Sequence, residues 1–248
     1  MIDSVEASPE QEAAAGLKFR YYLNNKSSGP VIFMVHGRAG NHGAMWTFSR
    51  ALRGLQPKAI IAPQAPLSDP IGGYSWWPVE LSASGTADVQ SSEKLLLAGL
   101  DYLDSFIFRT CRLFSLEPCS LFGVGFSQGA GAISGLSIKN RLLFSRVALL
   151  AGFVPGVSLR MEEEVAKNVR QTGDGETTPA SHRAPTLPSL PKYFFAHGSK
   201  DKIIPLEKAE RCAKRLQSLG AETTFHIEDT AHKVGTGGLK ALSHWLAS

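Results

Sequence analysis

The chain is short of cysteine, of long apolar runs and of clustered charge. Its three cysteines, Cys111, Cys119 and Cys212, are an odd number with no CxxC spacing. That argues against a disulfide framework and against a zinc site. A reducing compartment follows, with a cytoplasmic location expected, no metal or cofactor, and Cys119 read as a buried strand residue. No run approaches the roughly 18 apolar residues that span a bilayer, so no integral membrane segment is expected. Residues 1–15 carry Asp3, Glu6, Glu10 and Glu12 without a basic residue or an apolar core. They lack the parts of a secretory signal or an Arg-rich transit peptide and read as a disordered acidic tail. The 26 Lys and Arg against 22 Asp and Glu give a net charge of +4. These cations are scattered rather than gathered into a stripe, so no nucleic-acid partner is expected.

What is present suits a soluble globular chain: 43% apolar and 19% charged residues in a length of 248, enough for one large α/β domain over 16–248. A mixed apolar and polar segment at 16–24 reads as an outer strand, and Val31-Ile32-Phe33-Met34-Val35 as a central strand covered on both faces. Met45, Phe48 and Leu52 recur at helical spacing over 44–54. A strand at 58–62 is followed by a long loop through Gly72-Gly73-Tyr74-Ser75-Trp76-Trp77, and by an amphipathic helix over 87–109. Further strands are expected at 119–124, 146–153, 192–196 and 222–227, and helices to about 139 and at 161–171, 207–219 and 233–246. Residues 171–191 are rich in Pro, Gly, Ser and Thr and belong to an expected Pro-rich insertion at about 157–191, either a lid or a disordered linker. The alternation predicts a mainly parallel sheet with helices on both faces, whose ligands bind beyond the carboxyl ends of the strands.

Gly125-Phe126-Ser127-Gln128-Gly129 directly follows the apolar run at 119–124 and reads as a nucleophile elbow, a strand turning sharply into a helix with a serine exposed at the turn. A serine hydroxyl needs a base, and the base needs a carboxylate to hold its tautomer. His232, in the loop before the last helix, is the candidate base, ahead of His42. His197, His226, His244 and His182 lie in less suitable places. Asp201, just past a strand, is the candidate acid, with Asp229 as rival. Ser, Asp, His is the chain order of α/β-hydrolases. Oxyanion donors are expected from the backbone N–H groups of Gln128 and Arg38, with the Arg38 side chain solvated. Tyr74, Trp76 and Trp77 read either as loop anchors or as an aromatic wall for substrate, with Phe126 and Phe153 as further candidates.

The motifs HGRAGN (36–41), PQAP (63–66), GGYSWW (72–77), GFSQGA (125–130), HGSKDKIIP (197–205) and AH (231–232), in this order, resemble the phospholipase/carboxylesterase branch of the α/β-hydrolases. That branch includes carboxylesterases and acyl-protein thioesterases. The resemblance implies an α/β-hydrolase fold and a serine hydrolase cleaving carboxylic esters or thioesters through an acyl-serine intermediate. Ser127, Asp201 and His232 would be its triad, and the amides of Arg38 and Gln128 its oxyanion hole. The expected partner is a small-molecule or lipid-like acyl ester, and the expected state a monomer or homodimer. A non-catalytic small-molecule binding protein on the same scaffold is the alternative. Ala130 and Ala231 depart from the family pattern, which commonly has glycine at both.

Overall fold

The computed structural model describes residues 2–79, 89–173 and 188–248. In chain order the elements are β1 (Val5–Glu6), α1 (Pro9–Ala15), β2 (Phe19–Leu23), β3 (Val31–Val35), a 3-10 segment (Ala44–Leu55), β4 (Ala59–Pro63), β5 (Leu67–Ser68) and β6 (Tyr74–Ser75). There follow α2 (Val89–Leu113), β7 (Leu121–Phe126), α3 (Gln128–Lys139), β8 (Phe144–Leu150), α4 (Gly156–Gly173), β9 (Lys192–Gly198), α5 (Leu206–Ser218), β10 (Thr223–Glu228) and α6 (Thr236–Ala247).

One eight-stranded sheet runs in the order β1-β2-β4-β3-β7-β8-β9-β10. It is parallel from β4 to β10 and antiparallel where β2 joins β4 and β1 joins β2. The alternation of side chains explains why the central strands are apolar throughout. Phe33 and Val35 of β3 and Ile61 of β4 enter a core with α2, α3 and α5, while Ile32, Met34 and Ile60 enter a second core with the 3-10 segment and α6. This is the α/β-hydrolase architecture, with β7 near the centre of the sheet.

Three sequence expectations are corrected. Residues 5–15 are not a loose tail: Val5 and Glu6 pair with Tyr21 and Arg20, and α1 begins in a capping box between Ser8 and Gln11. Acidity alone is a poor guide to disorder there, because Arg20 pairs with Glu6, His42 lies within hydrogen-bond distance of it, and the Trp46 indole donates to Ile2 O at 2.7 Å. The helix expected at 44–54 is a 3-10 segment; over twelve residues an amphipathic pattern separates the 3.0 and 3.6 periods poorly. Cys119 precedes β7 and is exposed. Much of the expected insertion is α4, which starts at Gly156 and buries Ser158, Leu159 and Glu162. The Pro-rich centre, 174–187, and with it His182, lies outside the described residues. No helix among the described residues is long and apolar enough to cross a membrane.

Candidate active site

Ser127 stands between the end of β7 and the start of α3 with φ 53° and ψ −115°. This conformation is costly for a residue with a side chain and is held by its surroundings. Ser127 N–H donates to Leu150 O of β8 at 2.9 Å. A Cβ at Gly129 would run into the carbonyl oxygens of Val35 and His36, and one at Gly125 into the backbone of Gly129 and Ala130. The two glycines are what let α3 close onto β3 and β7. Ala130 is accommodated because its methyl group lies where a Cβ of Gly152 would be.

The loops after β9 and β10 converge on the same edge. Ser127 Oγ–H donates to His232 Nε2 at 2.9 Å, and His232 Nδ1–H donates to Asp201 Oδ2 at 2.7 Å. The acceptor role of Nε2 follows from the carboxylate, which holds the proton on Nδ1. Asp201 is buried, and its Oδ1 accepts the N–H groups of Ile203 and Ile204, both at 2.9 Å. Burial pulls its pKa upward, but the Ile204 amide, the His232 imidazole and the Ile203 amide outweigh it and hold the carboxyl below the ordinary range. The loops that carry Asp201 and His232 are docked by backbone bonds, Ser199 N–H to Glu228 O and Lys200 N–H to Thr230 O. Gly198 permits this contact, since a Cβ there would fall on the carbonyl oxygens of Thr230 and Ala231.

The loop after β3 supplies the other wall. His36 is buried, its Nδ1–H donates to Gly37 O at 2.7 Å and its Nε2 accepts Ala65 N–H at 2.9 Å. Burial lowers its pKa to about 4, so the ring stays neutral. The Arg38 side chain is not simply solvated: Nε donates to Asp69 Oδ2 at 2.8 Å and Nη2 to Oδ1 at 3.3 Å. Asp69 also accepts Ser75 Oγ–H at 2.6 Å, and with Arg38 as the leading cause its pKa falls to about 2. Asp69 lies in an irregular loop whose path is not written in local sequence. The Gln128 amide is the first N–H of α3, at a helix start where such groups lack intrahelical acceptors. Its side chain clamps the 74–77 loop, accepting Trp76 N–H at 2.9 Å and donating to Trp77 O at 2.8 Å.

The aromatic candidates separate. Trp76 is 1% exposed, donates its indole N–H to His36 O at 2.9 Å and belongs to the core, which removes it from any substrate surface. Trp77 is also buried, against Gly99 and Gly131. Tyr74 is half-buried and pairs with Gly40. Phe153 is half-buried beneath the Lys208 ammonium, 4.2 Å from its ring centroid. Phe126 alone among them is in ring contact with His232, at 5.2 Å between centroids.

Two further residues hold the loops that carry Asp201 and His232: Glu228, on which the sequence reading is silent, and His197, which it places among the histidines less suited to act as a base. Glu228 reaches the glycine-rich start of α6, where its carboxylate accepts Gly238 N–H and takes the favourable place of a negative charge at a helix N-terminus. His197 Nε2 lies 2.8 Å from Ile204 O and 3.4 Å from Asp201 Oδ2, backing the acid loop. The HG pair at 197–198 was the available signal for the latter; nothing local marks Glu228. His42 bridges Gln64 and Glu6, and Asp229 pairs with Lys200 in solvent. Among the described residues no cluster of His, Cys, Asp or Glu has the arrangement of a metal site.

No protein-family model matches the chain. It is similar in structure to a carboxylesterase from Bacillus cereus, with a TM-score of 0.73, 18% identity and coverage of 96% of this chain and 97% of that one. It is similar also to acyl-protein thioesterase 2 from Zea mays, with a TM-score of 0.63, 17% identity and coverage of 92% and 97%. In sequence it is 26% identical over 123 residues to lysophospholipase-like protein 1 from Mus musculus, a match spanning 49% of this chain and 44% of that protein. These likenesses fall within the branch that the motifs resemble and agree with the sheet order in establishing the fold.

Proposed function

We propose that the protein is a serine hydrolase that cleaves carboxylic esters or thioesters through an acyl enzyme on Ser127. The observation that carries this reading is the unbroken hydrogen-bond chain from Ser127 Oγ through His232 to Asp201. His232 Nε2 takes the serine proton as Oγ attacks the carbonyl carbon, and Asp201 stabilises the imidazolium that forms. The tetrahedral oxyanion accepts the backbone N–H groups of Gln128 and Arg38, each donor contributing about 3 to 4 kcal/mol to the transition state. His232 then protonates the leaving alcohol or thiol, and afterwards activates water to release the acid.

The test uses the whole chain with a short aryl ester and a fluorophosphonate probe. Wild-type protein should turn over the ester and take up one covalent adduct at Ser127. Ser127→Ala should lose adduct formation and on the order of 10⁴-fold or more in kcat while keeping its thermal transition. A folded wild-type protein that neither reacts with the probe nor turns over esters would instead be a binding protein on this scaffold.

A further inference from the structure

An apolar cavity of about 200 Å³ lies beside the oxyanion loop, lined in part by Gly37, Arg38, Ala44, Met45, Phe48 and Phe126. Resting on the hydrolase reading above, we infer that this cavity is the subsite for a short apolar group of the ester, and that Phe48 and Met45 set its depth.

The first argument is adjacency. Phe126 precedes Ser127 in the chain, and its ring lies 5.2 Å from the His232 ring on one side and 6.1 Å from the Phe48 ring on the other, at 28°. Gly37 sits so close to the elbow that an added Cβ would be 3.1 Å from Ser127 Cβ and 3.0 Å from Phe126 Cδ1. Cavity and nucleophile therefore share two residues as a common wall, and the lack of a side chain at 37 keeps that wall thin.

The second argument is chemistry. The polar groups in the lining are engaged elsewhere: the Arg38 guanidinium is held by Asp69, and the His36 ring by Gly37 O and Ala65 N–H. A charged or strongly hydrated group would find no partner inside, whereas an alkyl or phenyl group would lose nothing on entering. The third is size. At roughly 30 Å³ per small group, the cavity holds about six or seven non-hydrogen atoms. A chain of four to six carbons fits, and a long fatty acyl chain does not. Ala44 is exposed at the rim, Met45 is buried, and Phe48 lies between them in depth.

The group held is either the acyl or the alcohol part of the ester, and two substrate series tell these apart. One is p-nitrophenyl esters from acetate to decanoate, with the leaving group fixed. The other is acetates of primary alcohols from ethanol to decanol, with the acyl group fixed. In the series whose variable group enters the cavity, wild-type kcat/KM should rise about 4-fold per methylene to around six carbons and then level or fall. Phe48→Ala should move that maximum at least two carbons longer. Ala44→Phe, at an exposed position, should lower the ratio of hexyl to shortest-chain turnover by ten-fold or more. Fluorophosphonate labelling of each variant confirms that its elbow is intact, and the two variants act in opposite directions, so a folding defect in one leaves the other decisive. A response in either series supports the subsite and identifies which end of the ester it takes. Robust turnover with no variant-dependent shift in either series would overturn the subsite while leaving the hydrolase reading intact. Absence of turnover and labelling in the wild type would overturn both.

Discussion

Acidification should weaken this fold through a single buried imidazole. His36 is 1% exposed and accepts Ala65 N–H, so its neutral form is built into the loop after β3, and its pKa falls from the ordinary 6.5 to about 4. As pH drops below 6.5 the unfolded chain binds a proton at this residue and the folded chain does not. Proton uptake therefore favours unfolding, the penalty growing as pH falls and reaching its full size once the folded form also protonates, below about 4. Between pH 7 and pH 4 these two values correspond to about 3 kcal/mol lost, a large share of the 5 to 15 kcal/mol that stabilises an ordinary domain. The perturbation to make is His36→Asn, which removes the titration while keeping a donor and an acceptor. Urea unfolding followed by far-UV circular dichroism, at several pH values from 7 to 4, gives stability by linear extrapolation. The substitution will lower stability at neutral pH, so the readout is the slope and not the level. Wild type should lose about 3 kcal/mol more than the variant across the range. Parallel losses in the two proteins would show that His36 is not kept neutral and would refute the reasoning.

The Arg38–Asp69 pair offers a second acid transition, at lower pH. Because the folded Asp69 carboxyl is depressed to about 2, its contribution is present above the ordinary value of 3.8 and lost as pH falls through about 2. Arg38→Ala strands a carboxylate whose side chain is 2% exposed and should cost on the order of 3 kcal/mol at pH 7 by the same urea method; a loss under about 0.5 kcal/mol would contradict a structural role for the pair. Gly198→Ala should push the Thr230–Ala231 carbonyls away from the acid loop and cut kcat by ten-fold or more, with a smaller change in KM; unchanged ester turnover would argue against that docking contact.

The parts of this protein legible in sequence are those set by local pattern. Five-residue apolar runs such as 31–35 announce buried parallel strands, because both of their faces must be covered. The elbow at 125–129 is equally local, its glycines being demanded by contacts within a few residues and with one neighbouring strand. What local pattern does not carry is the path of irregular backbone. The β5–β6 hairpin, the burial of Trp76 beneath the loop after β3 and the partnership of Arg38 with Asp69 depend on a loop held by distant residues, and no periodicity encodes them. Charge misled at the N-terminus for the same reason: Glu6 looks solvated until Arg20 and His42 are brought beside it by the sheet. The convergence of Ser127 and His232, 105 positions apart, was inferred from chain order and strand polarity rather than from any local signal.

The Gln128 clamp has a bearing on how such a protein can be altered. Its carboxamide grips the 74–77 loop by a backbone N–H and a backbone carbonyl, so it reads the route of the loop and is indifferent to most of the side chains the loop carries. Positions 70 and 71, exposed between β5 and β6, are therefore a natural graft site, provided Gly72 and Gly73 are kept, the first for its φ of 97° and the second because a Cβ there would run into Ala39 O; the anchorage to α3 is then inherited unchanged. Diversifying those two positions, with 72–77 left intact, separates the design of a new entrance from the upkeep of the site behind it.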